Sequence, residues 1–308
     1  MCNVCEMSFA ALKVSRRLLY IVTMNCEIHV LRATLTIFLI FSWQLADKPV
    51  YAEALNKKTL ETFDRYVGVS EGRAQEELLS GKSFLWIDGL PEGARQQGYE
   101  KLRRGQVIVQ RFPGCGSERC AAIPDGLVHD WMAIVFVPGV SLRQALAALQ
   151  DYDRDSEYYS PEVVRSKLLS RPDDRFHVYL RLRQKHVITV VLDTEYDIEY
   201  KSLDERHAVS VSHSLRIAEV ENAGTDHERV RAGEGEHGYL WRLNSYWRFY
   251  ESDGGVYIQC NALSLTRDIP TGLGWLIGPF IENIPQQSLR FTLGATRKAL
   301  LQKFRSGS

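Results

Sequence analysis

An excess of charge of either sign is missing from this 308-residue chain, in which 38 Lys and Arg stand against 38 Asp and Glu. Balance of that kind argues against a protein that tracks nucleic-acid phosphates or holds a membrane through a polybasic stretch. Cysteine is scarce, with six in all, and no second Cys pair or His pair completes a zinc tetrahedron. The apolar run Leu35–Phe41 (LTIFLIF) is too short to span a bilayer, which takes about 20 residues. Gly-x-Gly strings occur at Gly114–Gly116, Gly233–Gly235 and Gly272–Gly274. None has the strand, helix and further glycine of a dinucleotide loop. No Ser-His-Asp arrangement and no nucleophile elbow can be assigned. Internal repeats, low-complexity tracts and linker-like segments are absent too. No cofactor and no metal is expected, and catalysis is not the favoured expectation.

What is present begins with a targeting signature. Arg32, the short apolar core and the Ala52-Glu53-Ala54 spacing describe a secretory signal peptide over residues 24–54, cleaved after Ala52 or Ala54. Met24 makes a more compact start than Met1, so residues 1–23 read as an upstream extension. The expected location is therefore the periplasm or envelope. In an oxidising compartment Cys115 and Cys120, in the loop PGCGSERC, could form a loop-stapling disulfide. Two free thiols, or an incomplete zinc set with His129, are the alternatives. Cys260 falls in a strand and reads as a small buried hydrophobe.

Residues 55–105 read as an N-terminal elaboration, with one or two helices between Leu60 and Leu79 broken near Gly68 and a strand over Ser83–Ile87. Strands follow at Gln106–Phe112 and Leu127–Val137. Two short helices come next, Ser141–Gln150 with Ser141 as N-cap and Pro161–Leu169 with proline at its first position. Five strands are then expected at Arg175–Arg183, Val187–Lys201, Arg206–Glu221, Gly238–Glu251 and Val256–Arg267. The last two are joined by a tight turn at Ser252-Asp253-Gly254-Gly255. Pro279 and Pro285 divide the closing segment into helices around Trp275–Ile281 and Gln286–Phe304. In the longer one Leu289, Leu293, Thr296, Leu300 and Phe304 form an apolar stripe.

Alternation assigns faces to the strands. His129 shares a face with Leu127, Trp131, Ala133 and Val135. Trp241 and Trp247 share another, and Arg242, Asn244, Tyr246 and Arg248 lie opposite them. That polar face is either an anionic head-group site or a solvated surface paired across strands, and the second is favoured. Asp193, Glu195, Asp197 and Glu199 alternate along one strand. A flat strand spreads them too far apart to encircle calcium, so an ion-paired face with Arg181, Arg183 and Lys185 is expected.

The order strand, two short helices, a run of antiparallel strands and a long C-terminal helix resembles the helix-grip fold of the START-like, or SRPBCC, superfamily. The likeness covers Gln106–Phe304, so residues 106–308 are taken as a START-like domain. The strings LWRLNSYWRFYESDGGVY and LSLTRDIPTGLGWLIGPF look like those of exported bacterial members. The resemblance implies an α+β fold, a curved antiparallel β-sheet wrapped around a long C-terminal helix, with an apolar cavity between them. It implies a binder or carrier for an apolar or amphipathic, lipid- or quinone-like small molecule, with transient membrane contact. Trp131, Tyr196, Trp241, Trp247 and Trp275 are the cavity candidates, with His129, Arg242 and Tyr246 as polar ones. A cyclase- or hydrolase-like enzyme would use the same cavity, with His129, His213 or Tyr246 as acid or base. A non-catalytic envelope interaction protein is the third class.

Overall fold

The computed structural model describes residues 57–81, 83–112, 123–185, 189–231, 238–268 and 274–305, with backbone alone over 274–282. The signal segment, the upstream extension and the Cys115–Cys120 loop lie outside the described residues.

Strand alternation and turn chemistry build the sheet. Strands β1 (Ile108–Arg111), β2 (Gly126–Pro138), β3 (Val163–Ser170), β4 (Arg175–Lys185), β5 (Thr189–Ser202) and β6 (His207–Glu221) are followed by β7 (Arg229–Val230), β8 (Leu240–Ser252) and β9 (Gly255–Arg267). They pair antiparallel in the order β1-β2-β9-β8-β6-β5-β4-β3, with β7 beside β6. The β8–β9 hairpin closes through Asp253 and Gly254, at φ 54° and 69°, the positive pair that a two-residue turn requires. Gly255 runs so close to β2 that a Cβ there would collide with the Val137 carbonyl oxygen.

The helix α5 (Gly274–Arg305) crosses one face, here the inner face. Its stripe of Leu289, Leu293, Thr296 and Leu300 is buried against Ala133, Val135, Val137, Phe249, Val256 and Ile258. The fold is thus the α+β helix-grip arrangement of an antiparallel sheet and a C-terminal helix. The expected division of this helix does not occur. A proline inside a long helix forfeits one hydrogen bond and tends to kink rather than stop it, and Pro285 lies within the continuous helix.

The outer face is covered as well. Here lie α1 (Lys57–Ser80), a 3₁₀ turn (Trp86–Gly89) and α2 (Glu92–Arg103). One outer cluster joins Leu85, Ile87 and Leu102 to Met132, Ile134, Phe136 and Tyr257; another joins Phe63 and Tyr66 to Trp241, Leu263 and Leu265. The expected break at Gly68 is absent, since one interior glycine costs a helix only about 1 kcal/mol and Phe63 and Tyr66 anchor the preceding turns. Ser83–Ile87 forms no strand; Leu85 and Ile87 enter the outer core from the 3₁₀ turn.

Between β2 and β3, α3 (Leu142–Leu149) starts where expected, with Ser141 accepting from Gln144 N and Gln144 reaching back to Ser141 N. The second helix is displaced. A short α4 (Asp155–Tyr158) precedes Pro161, and Val163–Ser170 pairs with β4 as a strand. The adjacent β-branched Val163 and Val164 favour that outcome over a helix.

The α5 stripe gives a direct test. Replacing the fully buried Leu293 by Ala should lower the unfolding free energy by about 2–5 kcal/mol. Leu215→Ala, at a residue 57% exposed, should change it by less than about 0.5 kcal/mol. Chemical denaturation measures both.

Candidate functional site

The inner face changes character away from the α5 stripe. One row across β2, β9, β8, β6 and β5 reads Trp131, Ala262, Ser245, Ser212, Ile198. The adjoining row reads Ala133, Cys260, Trp247, Ser210, Tyr200, and on the other side lie His129, Ser264 and Leu243. Serine and alanine in the middle of these rows keep the floor low, while Trp131, Trp247 and Tyr200 stand half-buried around it. Ser210, Ser212 and Ser264 are buried, so the floor is small, hydroxyl-bearing and largely shielded from water.

Polar groups punctuate this basin. His129 is buried with Nε2 3.0 Å from Thr266 Oγ1. Trp247 donates from Nε1 to Ser245 Oγ at 3.1 Å and stacks on Phe249. The Tyr152 and Tyr200 hydroxyls are 2.9 Å apart, and Tyr159 meets Thr296 on α5 at 3.0 Å. Burial pushes the phenols of Tyr196 and Tyr200 up to about 12. Burial, reinforced by Asp151, raises the Asp155 carboxyl well above the usual range. Cys260 is buried, and burial lifts its thiol far above the ordinary value.

The other candidates are distributed differently. Trp241 does not share a face with Trp247. The register slips between Leu240 and Arg242, and such a bulge reverses the side-chain alternation, so Trp241 joins Phe63 and Tyr66 on the outer face. Arg242, beside the bulge, donates to the Trp241 carbonyl oxygen at 2.8 Å. Tyr246 donates to Glu71 Oε1 at 2.9 Å, and His213 Nε2 meets the same oxygen at 2.8 Å. Arg248 donates to Glu77 Oε2 at 2.9 Å and to the Phe84 carbonyl oxygen at 2.8 Å. On the outward side of β8, Tyr246 and Arg248 are therefore covered by α1 and hold it to the sheet, while Asn244 accepts from Ser214 N on β6. Of the three residues considered as acid or base, only His129 faces the inner side. The Trp275 side chain lies outside the described residues.

Glu71 carries this attachment and had no local signal in the sequence, because its partners lie 142 and 175 residues away. The hydrogen bond from His213, followed by that from Tyr246, holds its carboxyl below the usual range despite desolvation. The Glu71 bond in turn raises His213. Asp130, on the outer side of β2, accepts from Tyr66 Oη at 3.0 Å. A cavity of about 290 Å³ opens between α1 and this face, bordered by Arg73, Asp130 and Asn261. An open groove of about 550 Å³ lies further along, between α2 and the hairpin, beside Tyr99, Arg103 and Tyr250.

The alternating carboxylates of β5 form an ion-paired face. Arg181 clasps Asp193 through Nε at 2.7 Å and Nη2 at 2.8 Å. Glu195 meets His177 and Arg216, while Asp197 and Glu199 meet Arg175. Arg183 and Lys185 instead stand opposite Val191 and Thr189. Among the described residues no group of three or more His, Cys, Asp or Glu gathers to hold a metal.

No family model and no curated protein matches this sequence. Solved structures with a similar arrangement include a STAR-related lipid transfer protein from Xanthomonas axonopodis, 18% identical with a TM-score of 0.39, covering 60% of this chain and 96% of that one. An aromatase/cyclase from Streptomyces is 11% identical, with a TM-score of 0.42 and coverage of 59% and 99%. A Thermus thermophilus protein is 14% identical, with a TM-score of 0.42 and coverage of 57% and 98%.

The Glu71–His213 contact makes the hold on α1 depend on pH. His213 is raised above 6.5, so its contribution is complete below pH 6.5 and is lost as pH rises through the folded value. Glu71 is depressed below 4.5, so its contribution is present above pH 4.5 and lost as pH falls through its folded value. The difference in Tm between the native protein and His213→Ala should be largest near pH 6 and shrink toward pH 8.5. Equal differences at both pH values would contradict the assignment.

Proposed function

We propose that the protein binds an apolar or amphipathic small molecule on the inner face, between the sheet and α5. One observation carries this: small side chains on β9, β8 and β6 form a low floor, with half-buried aromatic rings around it. A buried sheet face meant only to pack would fill its centre with large aliphatic side chains, as β2 and β9 do beneath the Leu289–Leu300 stripe. Apolar ligand surface laid on such a floor gains about 25 cal/mol per Å² removed from water. A few hydroxyls then suffice to orient it. Trp131, Trp247 and Tyr196 supply apolar contact, and His129 supplies a polar one at the edge.

The ligand class that fits is lipid- or quinone-like, an elongated apolar body with a neutral polar end. With residues 24–54 read as a signal peptide, the protein would act outside the cytoplasm, with transient membrane contact to load it. For a cyclase- or hydrolase-like reaction His129 would have to serve alone, since His213 and Tyr246 are engaged by Glu71.

Native mass spectrometry of the protein purified from a periplasmic extract should show a retained mass of several hundred daltons that is released on denaturation. Raising the floor with Ala262→Phe should abolish that mass while leaving the circular dichroism spectrum unchanged. A native protein that stays free of ligand after incubation with total lipid extract would overturn the proposal. So would a folded Ala262→Phe variant that retains the same mass.

A further inference from the structure

The outer cavity beneath α1 lies on the face of the sheet opposite the basin. Its volume of about 290 Å³ sits just under the lower bound of ordinary ligand pockets, about 300 Å³, so any occupant is small. Its walls are mostly apolar, with Leu85, Trp86 and Leu263 among them. Three polar groups converge on it from different elements: Arg73 from α1, Asp130 from β2 and Asn261 from β9.

Each of the three has unused capacity. No side chain among the described residues hydrogen-bonds or ion-pairs with the half-buried Arg73 guanidinium, whose charge acts through space on Asp130. Asp130 accepts from Tyr66 through Oδ2, which leaves Oδ1. Gln259 is occupied at both ends, accepting from Trp86 N and donating to Asn261 Oδ1. That contact orients the Asn261 amide and leaves Nδ2 as a donor on the cavity wall. The other polar groups facing the space are already committed, Glu77 to Arg248 as an ion pair and the Tyr246 hydroxyl to Glu71.

We propose that this cavity binds a small apolar zwitterion of the α-amino acid class, its carboxylate on Arg73 and Asn261, its ammonium on Asp130. Guanidinium and amide donors suit a carboxylate, and an acidic oxygen facing them suits the adjacent cation. The side chain of the ligand lies against Trp86 and Leu263. Neither charge of the ligand is then buried without a partner, the condition under which charged groups tolerate enclosure. The polar groups it uses, Arg73, Asp130 and Asn261, take no part in the inner-face basin, so the proposal stands or falls without that reading.

The chemistry sets a pH dependence of definite sign. Burial lifts the Asp130 carboxyl to about 6, against the lowering effects of the Tyr66 hydroxyl and Arg73. An ammonium requires the ionised form, so affinity should fall roughly tenfold between pH 7.5 and pH 5. A simple carboxylic acid would show the opposite trend, because protonating Asp130 removes a repulsion.

Isothermal titration calorimetry on the full chain decides the matter with L-phenylalanine, 3-phenylpropionate and phenethylamine as probes. L-Phenylalanine should bind, at least tenfold more tightly than either analogue, and more weakly at pH 5 than at pH 7.5. Arg73→Gln and Asp130→Asn, both checked for unchanged thermal unfolding, should each weaken it at least tenfold. The proposal is overturned by absence of L-phenylalanine binding, by equal binding of 3-phenylpropionate, or by unchanged affinity in a folded Arg73→Gln variant.

Discussion

The pairing of β2 with β9 is the constraint on which the rest of the molecule depends. The two strands run in register from Gly126 opposite Arg267 to Pro138 opposite Gly255. Met132 to Val137 is buried without interruption, so the pair is covered on both faces at once. Antiparallel sheets commonly leave one face to water; here that option is closed by α5 on one side and by the α1–α2 segment on the other. A one-residue slip would exchange the two faces along the whole strand. It would drive Met132, Ile134 and Phe136 under α5 and leave Ala133, Val135 and Val137 to fill the outer core. The collision a side chain would cause at Gly255 helps to fix the register at the hairpin end.

The two covers are held by unlike forces. The α5 stripe buries large aliphatic side chains against β2 and β9, an attachment that does not depend on salt or pH. The α1 helix has one apolar cluster around Phe63 and Tyr66, and otherwise leans on Glu71, Glu77 and Thr59. Partly exposed ion pairs of this kind contribute roughly 0–1 kcal/mol each. The cover on the outer face is therefore the weaker of the two, and a cavity lies beneath it. Weakly held elements open locally at low cost, which gives that cavity a route of access that needs no change in the sheet.

What the sequence made legible follows the reach of its signals. Strands β2, β4, β5, β6, β8 and β9 announced themselves through alternation and turn residues, because both are local. The stripe from Leu289 to Phe304 was visible for the same reason. Trp241 was misplaced because a bulge between Leu240 and Arg242 leaves no trace in hydropathy, yet reverses everything on one side of it. Pro161 suggested a helix start, whereas Val163 and Val164 found a neighbouring strand in β4. The role of the Tyr246–Arg248 face was hidden for a deeper reason. Its partners Glu71 and Glu77 are ordinary helix-surface residues until the fold brings them over β8, so a polar face awaiting a cover and a polar face awaiting water read alike.

That ambiguity ends in a division of labour along single strands. His129 points inward and Asp130 outward; Ser245 and Trp247 line the inner basin while Tyr246 and Arg248 hold α1; Ala262 lies on the inner floor and Asn261 on the outer cavity. Neighbouring residues separated by one peptide unit thus face chemically different compartments, one of small hydroxyls and aromatic rings, the other with opposed charges at its walls. Such a design is open only to a sheet buried on both sides, because a solvated face would screen the charges of the second compartment. The rigid pairing of β2, β9 and β8 is what lets one backbone position both.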